Sequence, residues 1–298
     1  MKRCLILLLL LFPGILAAAV EPLVTPAWLH ENRDKSDLVL LDLQDNQNYL
    51  RFHIPGAINT NYAQWRVEKK GQPKNIPPVP LLEKLIGSLG IDNNSHVVLI
   101  SLGASAGDMA VAARVYWTFK VLGHDRISIL DGGLVGYAEK RVYPLEKGNN
   151  QLKPKTFKAS YRKQMNPGIE EVKSAISGGS QIVDNRTRAE YLGIYGGGGK
   201  ERPGRLPNAL HLNYDWLTVN GGGKLHSLEN LQRIYTSSRV PLDGDQINYC
   251  HTGNRAALGW FVSHELLGNR KSRLYDGSTQ EWASNHALPM DLQVKLSY

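Results

Sequence analysis

The sequence predicts an α/β protein made of two tandem modules, each a parallel sheet flanked by helices. In both halves of the chain, apolar segments short enough for buried strands alternate with amphipathic helical segments. The halves repeat the same order of segments, and the carboxylates that end the first matching strands, Asp42 and Asp184, are 142 positions apart. A chain of 298 residues is also longer than one hydrophobic core usually organises.

The repeat begins with a short strand in each half. Residues 38–42 are Leu-Val-Leu-Leu-Asp, and residues 181–184 are Gln-Ile-Val-Asp. Residues 53–62 then match residues 205–214 at an offset of 152 positions, so the second half contains an insertion of ten residues. This insertion falls around 193–204 and includes four consecutive glycines, which predict a flexible turn.

Each half continues with a strand, a loop and an amphipathic helix. The predicted helices end at Gly123 and Gly268, because glycine is typical of the position after a helix C-terminus. A closing strand and turn come next in each half. They are followed by an aromatic residue, Tyr137 or Trp282, which we expect in the core.

These features divide the chain into four segments. We predict a signal peptide over residues 1–19, a first domain over 20–143, a linker over 144–161 and a second domain over 162–298. The linker is a polar, proline-containing stretch without hydrophobic periodicity.

The first residues have the pattern of a secretory signal. Lys2 and Arg3 precede an apolar run, and the small residues 17–19 follow it, as at a cleavage site. The run is shorter than the roughly 20 residues that a membrane-spanning helix needs. We therefore expect cleavage after Ala19, no stable membrane insertion afterwards, and a periplasmic or secreted protein. An uncleaved N-terminal anchor is the alternative.

Charge and composition argue against several classes of partner. Without residues 1–19 the chain has 33 basic and 27 acidic residues, a net charge of +6. The basic residues are scattered, without long runs or interleaved aromatic residues, so we expect no nucleic-acid partner. The surplus suits small anionic substrates instead. The nine histidines show no H-x-x-x-H spacing, and one cysteine is too few for a structural zinc site, so we expect no metal and no cofactor.

After cleavage the chain keeps one of its two cysteines, Cys250. A single thiol cannot form an intramolecular disulfide. In an exported protein it is therefore either buried and inert or free and reactive. The residues around Cys250 favour the reactive interpretation.

A series of motifs in the second half resembles the rhodanese family. In chain order the motifs are D-x-R-x-x-x-E (Asp184, Arg186, Glu190), R-L-P-N-A-L (205–210), C-x-x-G (Cys250, Gly253), Y-D-G-S (275–278) and Trp282. Together they are specific, and the resemblance covers nearly the whole chain after residue 19. It implies two tandem rhodanese-like domains, the first non-catalytic and the second catalytic. It also implies transfer of sulfane sulfur from a small anionic donor, thiosulfate or mercaptopyruvate, to a thiophilic acceptor such as cyanide or a thiol, including a protein thiol.

Sulfur transfer of this type needs a thiolate that attacks a sulfane sulfur, holds it as a persulfide and yields it to a second nucleophile. Cys250 is the predicted nucleophile, because it follows a predicted strand and precedes a predicted helix. Its sulfur should then face the backbone N–H groups of Thr252, Gly253, Asn254 and Arg255, which favour a thiolate. Gly253 would allow the loop to curl where a side chain would clash. An ordinary strand-to-helix turn is the alternative interpretation of that glycine.

Arg255 is the predicted contact for the donor anion, because its planar guanidinium can hold two oxygens of thiosulfate or a sulfonate. The C-x4-R spacing differs from the C-x5-R of cysteine-dependent phosphatases, whose longer loop accommodates a phosphate. His251 is a predicted donor contact or proton carrier, with a solvated side chain as the alternative. The loop matches neither C-R-K-G-V-T, typical of thiosulfate-preferring members, nor C-G-S-G-V-T, typical of mercaptopyruvate-preferring ones. The identity of the donor therefore stays open.

The resemblance also implies roles for the residues after the strand that ends at Asp184. Arg186 is expected near the mouth of the active site as a substrate contact, and Asp184 is expected to give structural support to the loops. A surface salt bridge between the two is the alternative.

The corresponding loop of the first half, residues 101–108, contains no cysteine, so the first domain cannot form a persulfide. We expect that domain to form one wall of the Cys250 cleft, with a contribution from Asp108 or Arg114. Two functions stay open: an active sulfurtransferase, or a sulfur-relay or persulfide-binding protein that delivers sulfur to a partner protein with little turnover of its own.

Overall fold

The computed structural model describes residues 20–67, 75–197 and 201–296, in which two parallel sheets are flanked by helices. The predicted fold class is therefore confirmed. The predicted signal peptide lies outside the described residues. No helix in the described part of the chain combines the length and apolar character that crossing a membrane requires.

The first sheet has five strands in the order β1-β5-β4-β2-β3. Its strands are β1 (Leu23–Val24), β2 (Leu38–Asp42), β3 (Ile58–Asn59), β4 (His96–Ile100) and β5 (Ile127–Leu130). Its helices are α1 (Pro26–Asn32), α2 (Asn46–Arg51), α3 (Val79–Ser88), α4 (Ala106–Val121) and α5 (Gly133–Ala138). The central strand β4 is buried at every residue, as its continuous apolar run predicts for a parallel sheet covered on both faces.

The second sheet has four strands in the order β7-β6-β8-β9. Its strands are β6 (Gln181–Asp184), β7 (Leu210–His211), β8 (Gln246–Tyr249) and β9 (Ser272–Leu274). Its helices are α6 (Ile169–Ser177), α7 (Arg188–Leu192), α8 (Leu228–Ser237), α9 (Asn254–Trp260) and α10 (Ser278–Trp282). Helix α9 continues directly into a π-helical segment, Phe261–Leu266, so the single helix expected here has two parts.

The register of the central strands aligns the two copies. Asp42 on β2 pairs with the last residue of β4, and Asp184 on β6 pairs with the last residue of β8. The next residue along the chain is Ser101 in the first copy and Cys250 in the second, and both are buried. Ser101 therefore occupies the position in the first domain that Cys250 occupies in the second.

The two domains share one apolar core. Helix α4 packs against α9, and Tyr116 meets Phe261 edge to face with their ring centroids 4.9 Å apart. A single cluster of buried side chains continues from β4 in the first sheet to β6 and β9 in the second. Because a large apolar interface resists relative domain motion, we infer that the two domains hold a fixed arrangement.

The segment predicted as a linker, residues 144–161, lies against the first domain. Phe157 is buried and packs edge to face on Phe119 of α4, with ring centroids 6.3 Å apart. The backbone N–H of Lys155 donates to the carbonyl of Gly87 on α3 at 2.9 Å. A Cβ on Gly87 would lie 2.5 Å from the Lys155 carbonyl, so glycine is required for this close approach. The segment therefore packs on the surface of the first domain and is not a free linker.

The two copies differ in how they hold the carboxylate that ends their matching strands. Asp184 is fully buried with Arg186, whose Nη2 lies 2.6 Å from Oδ2. Burial alone lowers the pKa of Arg186, but the charge and hydrogen bonds of Asp184, together with the neighbouring Tyr249 and Glu190, raise that pKa above its usual value. In the first copy Gln44 stands two residues after Asp42, donating to it from the backbone N–H at 2.8 Å and from Nε2 at 2.9 Å. Without an arginine, burial raises the pKa of Asp42 to about 6 despite these bonds.

We predict that Asp42→Asn stabilises the protein at neutral pH. The pKa of Asp42 is raised from 3.8 to about 6 in the folded chain, so folding favours the protonated acid. Its contribution to stability is therefore present at low pH and is lost as the pH rises from about 4 to about 6. An amide keeps an acceptor for the N–H of Gln44 and removes the charge. The free energy of unfolding at neutral pH should rise by about 2 kcal/mol, as denaturant titrations at several pH values would measure.

Asp184→Asn is the matched control at the equivalent position. It leaves Arg186 buried without a counter-charge and should cost about 3–5 kcal/mol of stability. If both substitutions destabilised the protein equally at neutral pH, the Asp42 charge would be as well compensated as that of Asp184, contrary to this prediction.

Candidate active site

Cys250 follows β8 and opens the short loop that leads into α9. The residue is only 1% exposed. Its backbone N–H donates to Oγ of Ser278 at 3.2 Å, and its carbonyl accepts from the N–H of Thr279 at 3.1 Å. The next carbonyl, of His251, accepts from the N–H of Gln280 at 3.0 Å. The first turn of α10 therefore fixes the backbone from which the thiol projects.

Gly253 caps the N-terminus of α9 in a left-handed conformation with φ of +75°. A Cβ at this position would lie 2.7 Å from Nη1 of Arg114 and 2.9 Å from the carbonyl oxygen of Asp276. Both the conformation and the close contacts require glycine. These features favour the interpretation of Gly253 as the residue that lets the Cys250 loop curl.

Arg255 forms a bidentate ion pair with Glu190 of α7. Its Nη1 donates to Oε2 at 2.7 Å and its Nη2 to Oε1 at 2.9 Å. Burial alone would raise the pKa of Glu190, but the hydrogen bonds and charge of Arg255, together with hydrogen bonds from Thr187, lower it to about 2. For Arg255 itself burial lowers the pKa, whereas Glu190 and the charge of Cys250 raise it above its usual value. Arg255 is therefore close enough to Cys250 for their charges to interact, although Glu190 already engages both terminal nitrogens.

Glu190 was not predicted as part of the site. Its signal was present as the last residue of the D-x-R-x-x-x-E motif. In the structure it serves two purposes, because it pairs with Arg255 and also accepts from the N–H of Thr187 at 3.0 Å in a capping box that begins α7. The cap fixes the carboxylate at the start of the helix, and the carboxylate then orients Arg255.

His251 lies beneath the second-half insertion. Its Nδ1 is 3.1 Å from Oε1 of Glu201, and the other carboxylate oxygen of Glu201 accepts from Oγ1 of Thr279 at 3.1 Å. A Cβ on Gly197 would lie 2.1 Å from the His251 ring, so the glycine allows the insertion to pack on the loop. Arg202 anchors the insertion by donating to carbonyls after α10. Residues 198–200, which are the last two of the four consecutive glycines and the lysine after them, lie outside the described residues. Nothing in the sequence spacing pointed to Glu201.

Arg186 is not placed where the sequence predicts a substrate contact. It is fully buried, pairs with Asp184 and donates from Nη2 to the carbonyl of Gly204 at 2.7 Å. The hydroxyl of Tyr249 donates to Asp184 at 2.6 Å and completes this internal group. The physical reason is that a buried carboxylate at the end of β6 needs a counter-charge, which the nearest arginine supplies. Both residues therefore support the fold beneath the loop.

The first domain contacts the loop from the opposite side. The hydroxyl of Tyr62 donates to Oδ1 of Asn254 at 2.6 Å, and Nη2 of Arg66 donates to the carbonyl of Thr252. Arg114 of α4 donates from Nη1 to the carbonyl of Gly253 at 3.4 Å. Asp108 does not take part, because its carboxylate caps its own helix, accepting from the N–H groups of Ala104 and Ser105 at 3.0 Å.

The remaining site expectations concern metals and core aromatics. In the part of the chain that the structure describes, no three histidine, cysteine or carboxylate side chains come together as a metal site. Tyr137 and Trp282 are both buried in the apolar clusters of their domains. Cys250 is thus a buried thiol whose loop also carries His251, paired with Glu201, and leads to Arg255, paired with Glu190.

Comparison with known proteins agrees with this geometry. The protein-family model of the rhodanese-like domain matches the sequence over residues 25–140 and 169–285. A protein of Haloferax volcanii named "Putative thiosulfate sulfurtransferase" is 30% identical over 289 residues, covering 92% of this chain and 97% of that protein. A protein of the same name from Saccharopolyspora erythraea is 30% identical over 287 residues, covering 91% and 96%.

A solved structure is also similar over most of its length. The crystal structure of a 3-mercaptopyruvate sulfotransferase from Escherichia coli superposes with a TM-score of 0.76 at 25% sequence identity, covering 87% of this chain and 99% of that one. The two family-model matches fall on the two sheets described above. The chain therefore belongs to the rhodanese family, with two rhodanese-like domains, and is a sulfurtransferase enzyme.

Proposed function

We propose that the protein transfers sulfane sulfur from thiosulfate or a related small anionic donor to a thiophilic acceptor through a persulfide on Cys250. The observation that carries the proposal is the position of Cys250, the one cysteine among the described residues, in a curled loop next to Arg255. The first domain has Ser101 at the same position, so only the second domain can carry sulfur on a thiol.

The reaction proceeds in two displacements. The Cys250 thiolate attacks the sulfane sulfur of thiosulfate, the sulfur–sulfur bond of the donor breaks, and sulfite leaves with the electron pair. An acceptor nucleophile then attacks the outer sulfur of the persulfide, and the Cys250 thiolate leaves. With cyanide as the acceptor the product is thiocyanate, and no external oxidant or reductant is needed.

The charges around the loop support the first displacement. Arg255 favours the thiolate over the thiol because an opposite charge nearby stabilises the ionised form. The backbone N–H groups at the start of α9 can add to this stabilisation. Because Glu190 engages both terminal nitrogens of Arg255, the donor anion must share that guanidinium with Glu190 or bind the backbone N–H groups. His251, which Glu201 holds in place, is the second residue proposed to contact the sulfur donor.

The exposure of Cys250 bears on the acceptor. With 1% of the residue exposed, a cyanide ion or a small thiol can approach the sulfur more easily than a thiol on a folded protein surface can. This favours turnover with a small acceptor. The alternative, a sulfur relay to a partner protein, would require the loop or its cover to move before the persulfide could be reached.

We also propose that the protein is exported to the periplasm or secreted. The support is the charged and apolar pattern of residues 1–19. Protein expressed from the full-length gene and recovered outside the cytoplasm should have Val20 as its first residue by N-terminal sequencing. A chain that kept Met1 and sedimented with membranes would instead support the uncleaved anchor.

We predict that Cys250 alone carries the transferred sulfur. Intact-mass measurement after incubation with thiosulfate should show a reducible addition of one sulfur atom, and cyanide should remove it as thiocyanate. Cys250→Ser should show no addition, while Ser101→Ala, at the matching position of the first domain, should load as fully as the wild type. An addition that persisted in Cys250→Ser would refute the proposal.

We predict that Arg255 both stabilises the thiolate and contributes to donor binding. In Arg255→Ala the pKa of the Cys250 thiol should rise, and kcat/KM for thiosulfate should fall more than tenfold, because one charge-assisted contact is worth about 1.5–3 kcal/mol. Arg255→Lys keeps a point charge without the planar fork. It should recover much of the thiol pKa and less of the donor affinity, as alkylation rates across pH and steady-state kinetics would measure.

Glu190→Gln distinguishes a direct effect of Arg255 on Cys250 and the donor from a purely structural role of the Arg255–Glu190 pair. The variant keeps the cation next to Cys250 and removes the competing anion, so the pKa of the thiol should fall and donor affinity should hold or improve. If Arg255→Ala and Glu190→Gln changed the thiol titration and kcat/KM in the same direction, Arg255 would act only through its pair with Glu190.

A further inference from the structure

Side chains of the first domain contact three consecutive residues of the catalytic loop. Arg66 donates to the carbonyl of Thr252, Arg114 donates to the carbonyl of Gly253 at 3.4 Å, and Tyr62 donates to Asn254. The first domain has no thiol of its own in the matching loop. These contacts connect it directly to the loop that carries Cys250.

Arg114 makes the most extensive of these contacts. Its side chain is fully buried, and Nη2 lies 2.6 Å from Oδ1 of Asp276, itself almost fully buried between β9 and α10. The guanidinium also lies over the ring of Trp117, with Cζ 4.5 Å from the ring centroid. A cation buried so completely is held in one position by its partner, its aromatic neighbour and the surrounding core.

The pair acts on both ends of the Cys250 loop. Arg114 packs on Gly253, where a Cβ would approach Nη1 to 2.7 Å, so the curl of the loop is formed directly against the guanidinium. Asp276 lies two residues before Ser278, whose Oγ accepts the backbone N–H of Cys250. Arg114 thus connects the end of the loop to the turn that holds its beginning.

The first domain offers a comparison, because its matching loop, residues 101–108, has no cysteine. There Asp131 accepts the backbone N–H of Leu225 at 2.9 Å, just as Asp276 accepts the N–H of Ile76 at 2.6 Å. Each domain therefore accepts a backbone hydrogen bond from the other through an aspartate at a matching position. Among the described residues, however, Asp131 forms no ion pair, whereas Asp276 is paired with Arg114. The buried cation is specific to the side that carries the cysteine.

We propose that Arg114 is a positioning residue for the sulfurtransferase reaction: through Asp276 and Gly253, the non-catalytic domain holds the catalytic loop in the conformation that makes Cys250 reactive. The inference rests on the proposed function of Cys250. It differs from a purely structural role, in which Arg114 would serve only to join the domains.

A double substitution in the full-length protein distinguishes the two roles. Removing one partner of a buried ion pair is strongly destabilising, but replacing both with uncharged residues is often neutral for stability. Arg114→Met with Asp276→Asn removes the charges together and keeps an acceptor for the N–H of Ile76. If Arg114 only joined the domains, this variant should match the wild type in both stability and turnover.

We expect the double variant to unfold near the wild-type temperature and to lose at least tenfold in kcat with thiosulfate and cyanide, while KM changes less than threefold. The rate of Cys250 alkylation by iodoacetamide should also shift to higher pH. Arg114→Lys, which keeps the charge next to Asp276, should recover most of the lost kcat. Asp131→Asn, at the reciprocal contact, should leave kcat/KM within threefold of the wild type.

A double variant with kcat within threefold of the wild type and an unchanged alkylation profile would overturn the inference. If the double variant failed to fold, Arg114→Gln would be compared with Arg114→Lys instead. A kcat for Arg114→Gln equal to that of Arg114→Lys would also overturn the inference. Sulfur loading keeps the two proposals apart. Loading that persists in Cys250→Ser refutes the proposed function, whereas normal loading with no effect at Arg114 refutes only the positioning role.

Discussion

Buried charges that need partners organise the region around Cys250. Arg186 neutralises Asp184 beneath the loop, Glu190 neutralises Arg255 beside it, and Asp276 joins a cation from the first domain. An unpaired charge in such a place would cost several kcal/mol, so each partner restricts where the other can lie. The backbone between these pairs has little freedom left. The curled loop is therefore a consequence of charge pairing as much as of its glycine.

The two domains are closely similar around their matching loops. Their sheets have matching registers, and the same hydrogen bonds tie each loop to the helix that follows the closing strand. Side chains differ at matching positions: Ser101 stands in place of Cys250, and Gln44 in place of Arg186. The first copy has a buried carboxylate at Asp42 with a raised pKa, and its matching loop has no thiol. It contacts the loop of the second copy directly, through Tyr62, Arg66 and Arg114.

Those contacts make the tandem arrangement a single unit. The shared apolar core between α4 and α9 holds the domains together, and polar contacts then align each loop against the other domain. The insertion adds a third element by placing Glu201 against His251. Cys250 is consequently enclosed from several directions, and the persulfide proposed there would be shielded from large thiols.

The sequence alone determined the repeat, the α/β class and the family, and it predicted Cys250 as the nucleophile, because these depend on local patterns: strand-sized apolar runs, glycine positions and one cysteine in a specific loop. It did not determine which charges pair. Glu190 and Arg255 are 65 positions apart, and Arg114 reaches Gly253 across 139. It also placed Arg186 at the substrate, whereas packing buries that arginine against its near neighbour Asp184. Partners of buried charges are chosen by the packing of distant segments and by the cost of leaving a charge unpaired, so only the tertiary structure decides them.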